Sequence, residues 1–353
     1  MSDRLFRSFQ TRFSTVGLSA MFAPRKPRHP LLRVLLGMVG VLLLAGLLVI
    51  GLVVTLAAVA SLLTARSGFT ATDASAQVRE NARFAADLIY RIANQAGYED
   101  IAYGVGTRSA AMFGGVAPPP DLDGYDNALF GAQTTFPPTL VSGSRTSGCT
   151  AADTSCLNGS DILVLRYQGS STPPTSTTGD GTIINCAGKA EPSPTGVGDD
   201  RAYSVFHVKD SNGEPALMCS YRNSSGTWVT EPIVQGVEGF QVLYGVDYNK
   251  GASTGQDSVA DRYLRASQIV VAGNPAATET NWRHVRSLRI GLLVRGPANS
   301  AVDRTSTGRT YYPLGVDQSA SADTGTALSV TADGRLRQEL SFTIYLHNKL
   351  GND

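Results

Sequence analysis

VLLGMVGVLLLAGLLVIGLVVTLAAVASLL, Val34 to Leu63, runs thirty residues without a charge, and RENARFAADLIYRIANQAGYED, Arg79 to Asp100, comes soon after it. Crossing a bilayer core takes about 20 apolar residues at helical rise, so the first stretch predicts a transmembrane helix over 34–63. In the second, Val78, Ala82, Ala85, Leu88, Ile89, Ile92 and Ala96 recur at steps of three and four, with Arg79, Glu80, Arg83, Asp87, Arg91 and Asn94 mostly between them. That is the pattern of an amphipathic helix over 64–98. Thr72 or Asp73 is placed to cap its start, Gly97 to stop it, and Gly68 to kink the passage from lipid to water. Together the two stretches predict one helical rod of about 60 residues, half in membrane and half packed on the region C-terminal to it.

Charge sets the orientation. Arg4, Arg7, Arg12, Arg25, Lys26, Arg28 and Arg33 precede the span against Asp3 alone, which keeps residues 1–33 cytoplasmic and beside anionic lipid. The run is about twice the length of a signal-peptide core, so an uncleaved anchor is expected, with the small residues Ala57 to Ser61 as the alternative cleavage point. Gly37, Gly40, Gly46 and Gly51 thin the helix, read as glycines tolerated in lipid before helix-packing contacts. Beyond the basic head the chain is mildly acidic, at about −5, so no nucleic-acid footprint remains.

All four cysteines, Cys149, Cys156, Cys186 and Cys219, fall on the outward side, where an oxidising compartment lets them pair. Three connectivities are open; the favoured one joins Cys149 to Cys156 and Cys186 to Cys219. Zinc is the weaker reading, for want of a C-x-x-C pair and of any nearby histidine but His207.

Residues 99–353 read as one β-rich exported domain. Gly104 to Ser160 is mostly loop, rich in turn residues such as Pro118-Pro119-Pro120. Strands are predicted at Asp161–Tyr167, Tyr203–Val208, Leu217–Tyr221, Val234–Val246, Ser267–Val271, Ser287–Val294 and Leu336–Leu346. Long polar loops fill 169–181, 190–200 and 305–325. With no second long helix, the economical architecture is α+β: one long N-terminal helix laid on one antiparallel β-sheet.

Chemistry is sparse. There is no P-loop or H-E-x-x-H pair, and Gly104-Val105-Gly106-Thr107 lacks a third glycine, so neither an enzyme nor a cofactor is expected. His207, His284 and His347 read as surface or interface residues. Asp199-Asp200, Asp247 with Asn249, and Asp257 with Asp261 offer hard oxygens to calcium, but turn residues are the plainer account. Trp228 and Trp282 read as core before contact residues. Arg283, Arg286, Arg289 and Arg295 read as a basic, solvent-facing strand edge.

Several segments resemble the type IV pilus minor pilins and assembly proteins of the PilW type, with similarity to the J-type minor pseudopilins of type II secretion. They are Arg79-Glu80-Asn81-Ala82-Arg83-Phe84-Ala85, Gln95-Ala96-Gly97-Tyr98, Gly159-Ser160-Asp161-Ile162-Leu163, Ala216-Leu217-Met218-Cys219, Gly236 to Asp247, Ala260-Asp261-Arg262-Tyr263 and Val285 to Arg295. The resemblance implies a pilin-like fold and a structural role in priming or capping a pilus at the bacterial inner membrane. It implies contacts with other minor and major pilins and the assembly platform, and a domain in the periplasm or the extracellular pilus. Two alternatives stand beside it: a minor pseudopilin of type II secretion, and a membrane-anchored tip adhesin or ligand-binding protein. The family's N-terminal signature, a basic leader followed by glycine and a glutamate five residues on, is missing: after Gly37-Met38 the fifth residue is Leu42, and Gly68-Phe69-Thr70 lies beyond the apolar run.

Overall fold

A computed structural model describes residues 30–100, 119–128, 130, 157–173, 176, 178–196, 198–248, 257–301, 308–320 and 323–349. They divide into two units, up to Arg66 and from Ser67 onward. Helix α1, Pro30–Ala93, begins on a proline, whose missing N–H costs nothing in a first turn, and runs through Gly68 without a break. No separate start forms at Thr72 or Asp73. In the first unit its leucines and valines are all exposed, and by length and composition this stretch is apolar enough to cross a membrane.

In the second unit the helix buries Ala74, Val78, Ala82, Ala85, Ile89, Ile92 and Ala93, the stripe expected from the spacing. It ends a few residues before Gly97, which adopts the left-handed conformation (φ 74°). The Gly97 N–H then donates to Arg166 C=O at 2.9 Å, and Asn348 Nδ2 donates to the carbonyls of Asn94 (2.9 Å) and Ala96 (3.3 Å).

Two antiparallel sheets receive the stripe, where one was expected. The first has the order β1 (Leu122–Tyr125), β2 (Ile162–Tyr167), β3 (Ala202–Ser211), β4 (Glu214–Arg222), β5 (Trp228–Gln235). The second has the order β11 (Arg337–Tyr345), β8 (Val285–Arg295), β6 (Val237–Val246), β7 (Arg262–Leu264). A small ribbon pairs β9 (Arg309–Tyr311) with β10 (Leu328–Val330). One apolar core takes in Val78 to Ala93 of the helix with Ala96 just beyond it, Leu163, Phe206 and Leu217 of the first sheet, and Phe240, Ile290 and Leu292 of the second.

Several local readings need correction. Val234–Val246 is two strands, because Gly236 (φ 84°) breaks the run between β5 and β6. Ser267–Val271 is helical in part: α2, Ala266–Ile269, forms where the Asp126 carboxylate accepts the N–H groups of Ala266 and Ser267, overriding the strand propensity of its apolar residues. A further helix, α3 (Pro275–Arg283), is capped by Asn274 Oδ1 accepting from Ala277 N–H. β1 emerges from the stretch read as loop.

His207, expected at a surface or interface, is another. It is buried in β3, stacked on Phe130 with ring centroids 4.7 Å apart and hydrogen-bonded to Ser220 Oγ at 3.0 Å. Burial, helped by the Lys209 charge, pushes the imidazole down to about 3. The unfolded chain takes up that proton near 6.5, so the stabilisation is full above pH 6.5 and is lost as pH falls toward 3. Urea unfolding of the full chain in detergent at pH 7.5 and 4.5 is expected to show a steeper acid loss for the native protein than for His207→Gln, by up to about 1.4 kcal/mol per pH unit. Equal slopes would contradict a neutral, buried histidine.

Candidate assembly scaffold at the sheet corner

Gly236 belongs to both sheets. Its N–H donates to Pro215 C=O on β4 and its C=O accepts from Arg295 N–H on β8, each at 2.7 Å. A Cβ here would sit 2.5 Å from the Arg295 carbonyl oxygen, so only glycine lets the chain leave one sheet and enter the other in a single residue. The helix crosses this corner: Asn81 Nδ2 donates to Gln235 C=O at 3.1 Å, and a Cβ at Gly296 would come within 3.2 Å of Val78 Cγ2.

Charges lock the corner from outside the core. Arg337 donates to both oxygens of Glu238 (2.6 and 3.1 Å) and both of Asp333 (2.7 and 2.6 Å). Arg295 reaches Glu214 at 2.8 Å and Glu238 at 3.4 Å, and Arg335 grips Glu214 at 2.9 and 3.3 Å. Glu214 lies on the first sheet, while Glu238, Arg295 and Arg337 lie on the second, so the network spans both. Burial pulls Glu214 up, but the Arg295 and Arg335 bonds outweigh it and hold the carboxyl below its usual range. Asp333 is held at about 2, chiefly by Arg337. Such forked arginine–carboxylate contacts fix geometry more than they add stability.

A second seam lies along β6. Asn158 Nδ2 donates to Glu238 C=O at 2.7 Å, and Asp161 N–H to Phe240 C=O at 2.8 Å. The Asp161 carboxylate accepts from Asn127 N–H (2.9 Å) and Val242 N–H (2.8 Å). Residues 158–161 thus cover part of the β6 edge and lead straight into β2. Burial, with Asp126 and Asp323 nearby, pushes the Asp161 carboxyl well above its usual range.

Cys186 and Cys219 form a disulfide with Cα atoms 5.6 Å apart. The loop that carries Cys186 also holds the helix end, since Gln95 donates to Ile184 C=O (2.9 Å) and accepts from Ile184 N–H (3.0 Å). The bridge therefore ties α1 to β4 through that loop. Cys149 and Cys156 lie outside the described residues.

Other expected candidates resolve differently. β8 is interior to its sheet, so Arg283, Arg286, Arg289 and Arg295 form no solvent-facing edge: Arg295 serves the network, Arg286 is buried 3.7 Å from Asp247, and Arg289 donates to Leu314 C=O. Asp199 binds Arg201 and Tyr203, and Asp200 accepts Thr195 and Gly196 N–H groups, both closing their own loop. Asp257 accepts Val259 N–H and Asp261 accepts Tyr248 N–H, while Asn249 lies outside the described residues. Among the described residues no three His, Cys, Asp or Glu gather as a metal would require. Trp228 and Trp282 are both buried, as core residues should be.

The corner and its ion-pair network fall in one stretch of chain. Residues 203–348 match the PilW family, described as Type IV Pilus-assembly protein W. The PilW match runs from the second residue of β3 to the turn beyond β11, and so holds Gly236 and all the ion-paired residues of the corner. Among solved structures, the type IV-like pilin TTHA1219 from Thermus thermophilus is similar at 12% identity and TM-score 0.32, over 77% of this chain and 98% of that one. No curated protein matches the chain.

Gly181 has nearly the same backbone angle as Gly236 (φ 80°) but nothing within 4 Å of its Cβ position. Gly181→Ala is therefore expected to cost about 1–2 kcal/mol, the price of the left-handed conformation alone. Gly236→Ala must also move the Arg295 carbonyl, and a loss of about 3 kcal/mol or more is expected by denaturant unfolding. Equal losses would show that the corner does not depend on close approach.

Proposed function

We propose that this protein is a membrane-anchored, non-catalytic subunit of a type IV pilus that primes or caps assembly at the inner membrane. The observation carrying this reading is the PilW match over residues 203–348, on a chain whose helix is apolar over 34–63 and buries a core stripe from Ala74 on. In this reading the basic residues before Val34 hold the N-terminus in the cytoplasm, and the β-domain faces the periplasm or enters the fibre.

Partner contact falls to the helix face that the core leaves bare. Phe69, Phe84 and Tyr90 are 76%, 55% and 47% exposed. At about 100° per residue they share one third of the helix circumference, opposite the buried stripe. Large rings kept in water are the feature expected of a surface that other helices cover. A photo-crosslinking residue at Phe84 is expected to trap other pilins in cells, while one at the buried Ala85 traps none. Phe84→Asp is expected to leave the unfolding midpoint within about 0.5 kcal/mol of native and to cut surface pili. Crosslinks of equal yield at both positions, or normal piliation with Phe84→Asp, would overturn the reading.

A further inference from the structure

A cleft of about 760 Å³, within the range of small-molecule sites, is lined by residues of β1, β2, β3 and α3, and the assembly role leaves it unused. Arg166, only 2% exposed, reaches Asp123 at 3.2 Å and the Pro120 carbonyl at 2.7 Å, with its guanidinium 5.4 Å from the centre of the Tyr203 ring. Glu279 of α3 and the exposed Arg222 of β4 complete the charged lining, and Trp282 adds a buried indole.

The chemistry of this lining narrows the ligand. Asp123 pairs with Arg166, and Asp199, which also lines the cleft, is held by Arg201 and Tyr203. That leaves Glu279 and Arg222, one charge of each sign, and so no net field for an anion or a cation. Helices α2 and α3 pack against β1, the outermost strand of its sheet, which disfavours peptide binding by strand addition there. On lining residues, Asp123 Oδ1, an acceptor, and Trp282 Nε1, a donor, are buried without a hydrogen-bond partner among the described residues. Buried groups of this kind are costly unless a ligand or solvent satisfies them.

Balanced acceptors and donors beside aromatic and proline C–H surface suit a molecule whose every polar group both donates and accepts. We propose that this cleft binds a neutral carbohydrate, with its hydroxyls on Asp123, Glu279 and Arg222 and its C–H face toward the rings. The site is independent of the assembly reading, and its failure would leave that reading standing.

The protein carries its own reporter. It has two tryptophans, so Trp228→Phe leaves Trp282 as the sole indole. That full-length variant, in a detergent without a sugar head group, is titrated with maltotetraose, cellotetraose and chitotetraose while Trp282 fluorescence is monitored. A saturable change with at least one of them is expected. Glu279→Gln and Arg222→Ala are each expected to weaken it about tenfold, the worth of a hydrogen bond to a charged group, with circular dichroism and unfolding midpoint unchanged. Three outcomes would overturn the proposal: no saturable response to any of the three sugars, a response that both substitutions leave within about twofold, or equal binding of an acidic oligosaccharide or a proline-rich peptide.

Discussion

The fold of the second unit depends on burying one face of α1 in the angle between two sheets. Ala74, Ala82 and Ala85 let the helix backbone come close, and Val78, Ile89 and Ile92 fill the space that remains. Fully burying each of these branched side chains contributes about 2 kcal/mol. That gain exists only if the sheets keep their relative angle, and the angle is set where the chain turns at Gly236. Neither sheet alone offers the whole surface: the core draws on β2, β3 and β4 from one and on β6, β8 and β11 from the other.

Polar contacts then make the angle specific. The Glu238 and Arg337 side chains are nearly buried and share two hydrogen bonds, so removing Arg337 would leave the Glu238 carboxylate with only the long 3.4 Å contact to Arg295. The Asp161 carboxylate does similar work for the backbone N–H groups of Val242 on β6 and Asn127 beyond β1. At the far end of the helix, Asn348, Gly97 and the Gln95–Ile184 pair close its last turn, with the Cys186–Cys219 bridge behind them. The rod is held at a corner near Val78 and at its C-terminus, which leaves its aromatic outer face open to contact.

Much of this was legible in the residues. Period-four spacing marked the buried stripe to within one or two positions, and the alternation of Leu340, Phe342 and Ile344 marked β11. Cys186 with Cys219 was among the pairings open to the sequence. What escaped was long-range. Gly236 sits inside a run of β-formers, and only its neighbour Arg295, distant in sequence, reveals why it must be glycine. The arginines of β8 looked like a solvated edge because sequence does not show that another strand, β11, lies outside them. α2 formed against propensity through Asp126, a residue remote in sequence. The buried Arg166 and Trp282 of the cleft gave no periodic signal at all.

The central claim, that the helix beyond Ala74 is part of the β-domain core, is tested most directly by hydrogen exchange of the full chain in detergent. Amides from Val78 to Ile92 should be protected as strongly as those of β6 and β8 and should lose protection together with them as denaturant rises. Exchange of the helix well ahead of the strands would mean that it forms without the sheets, and would contradict that claim.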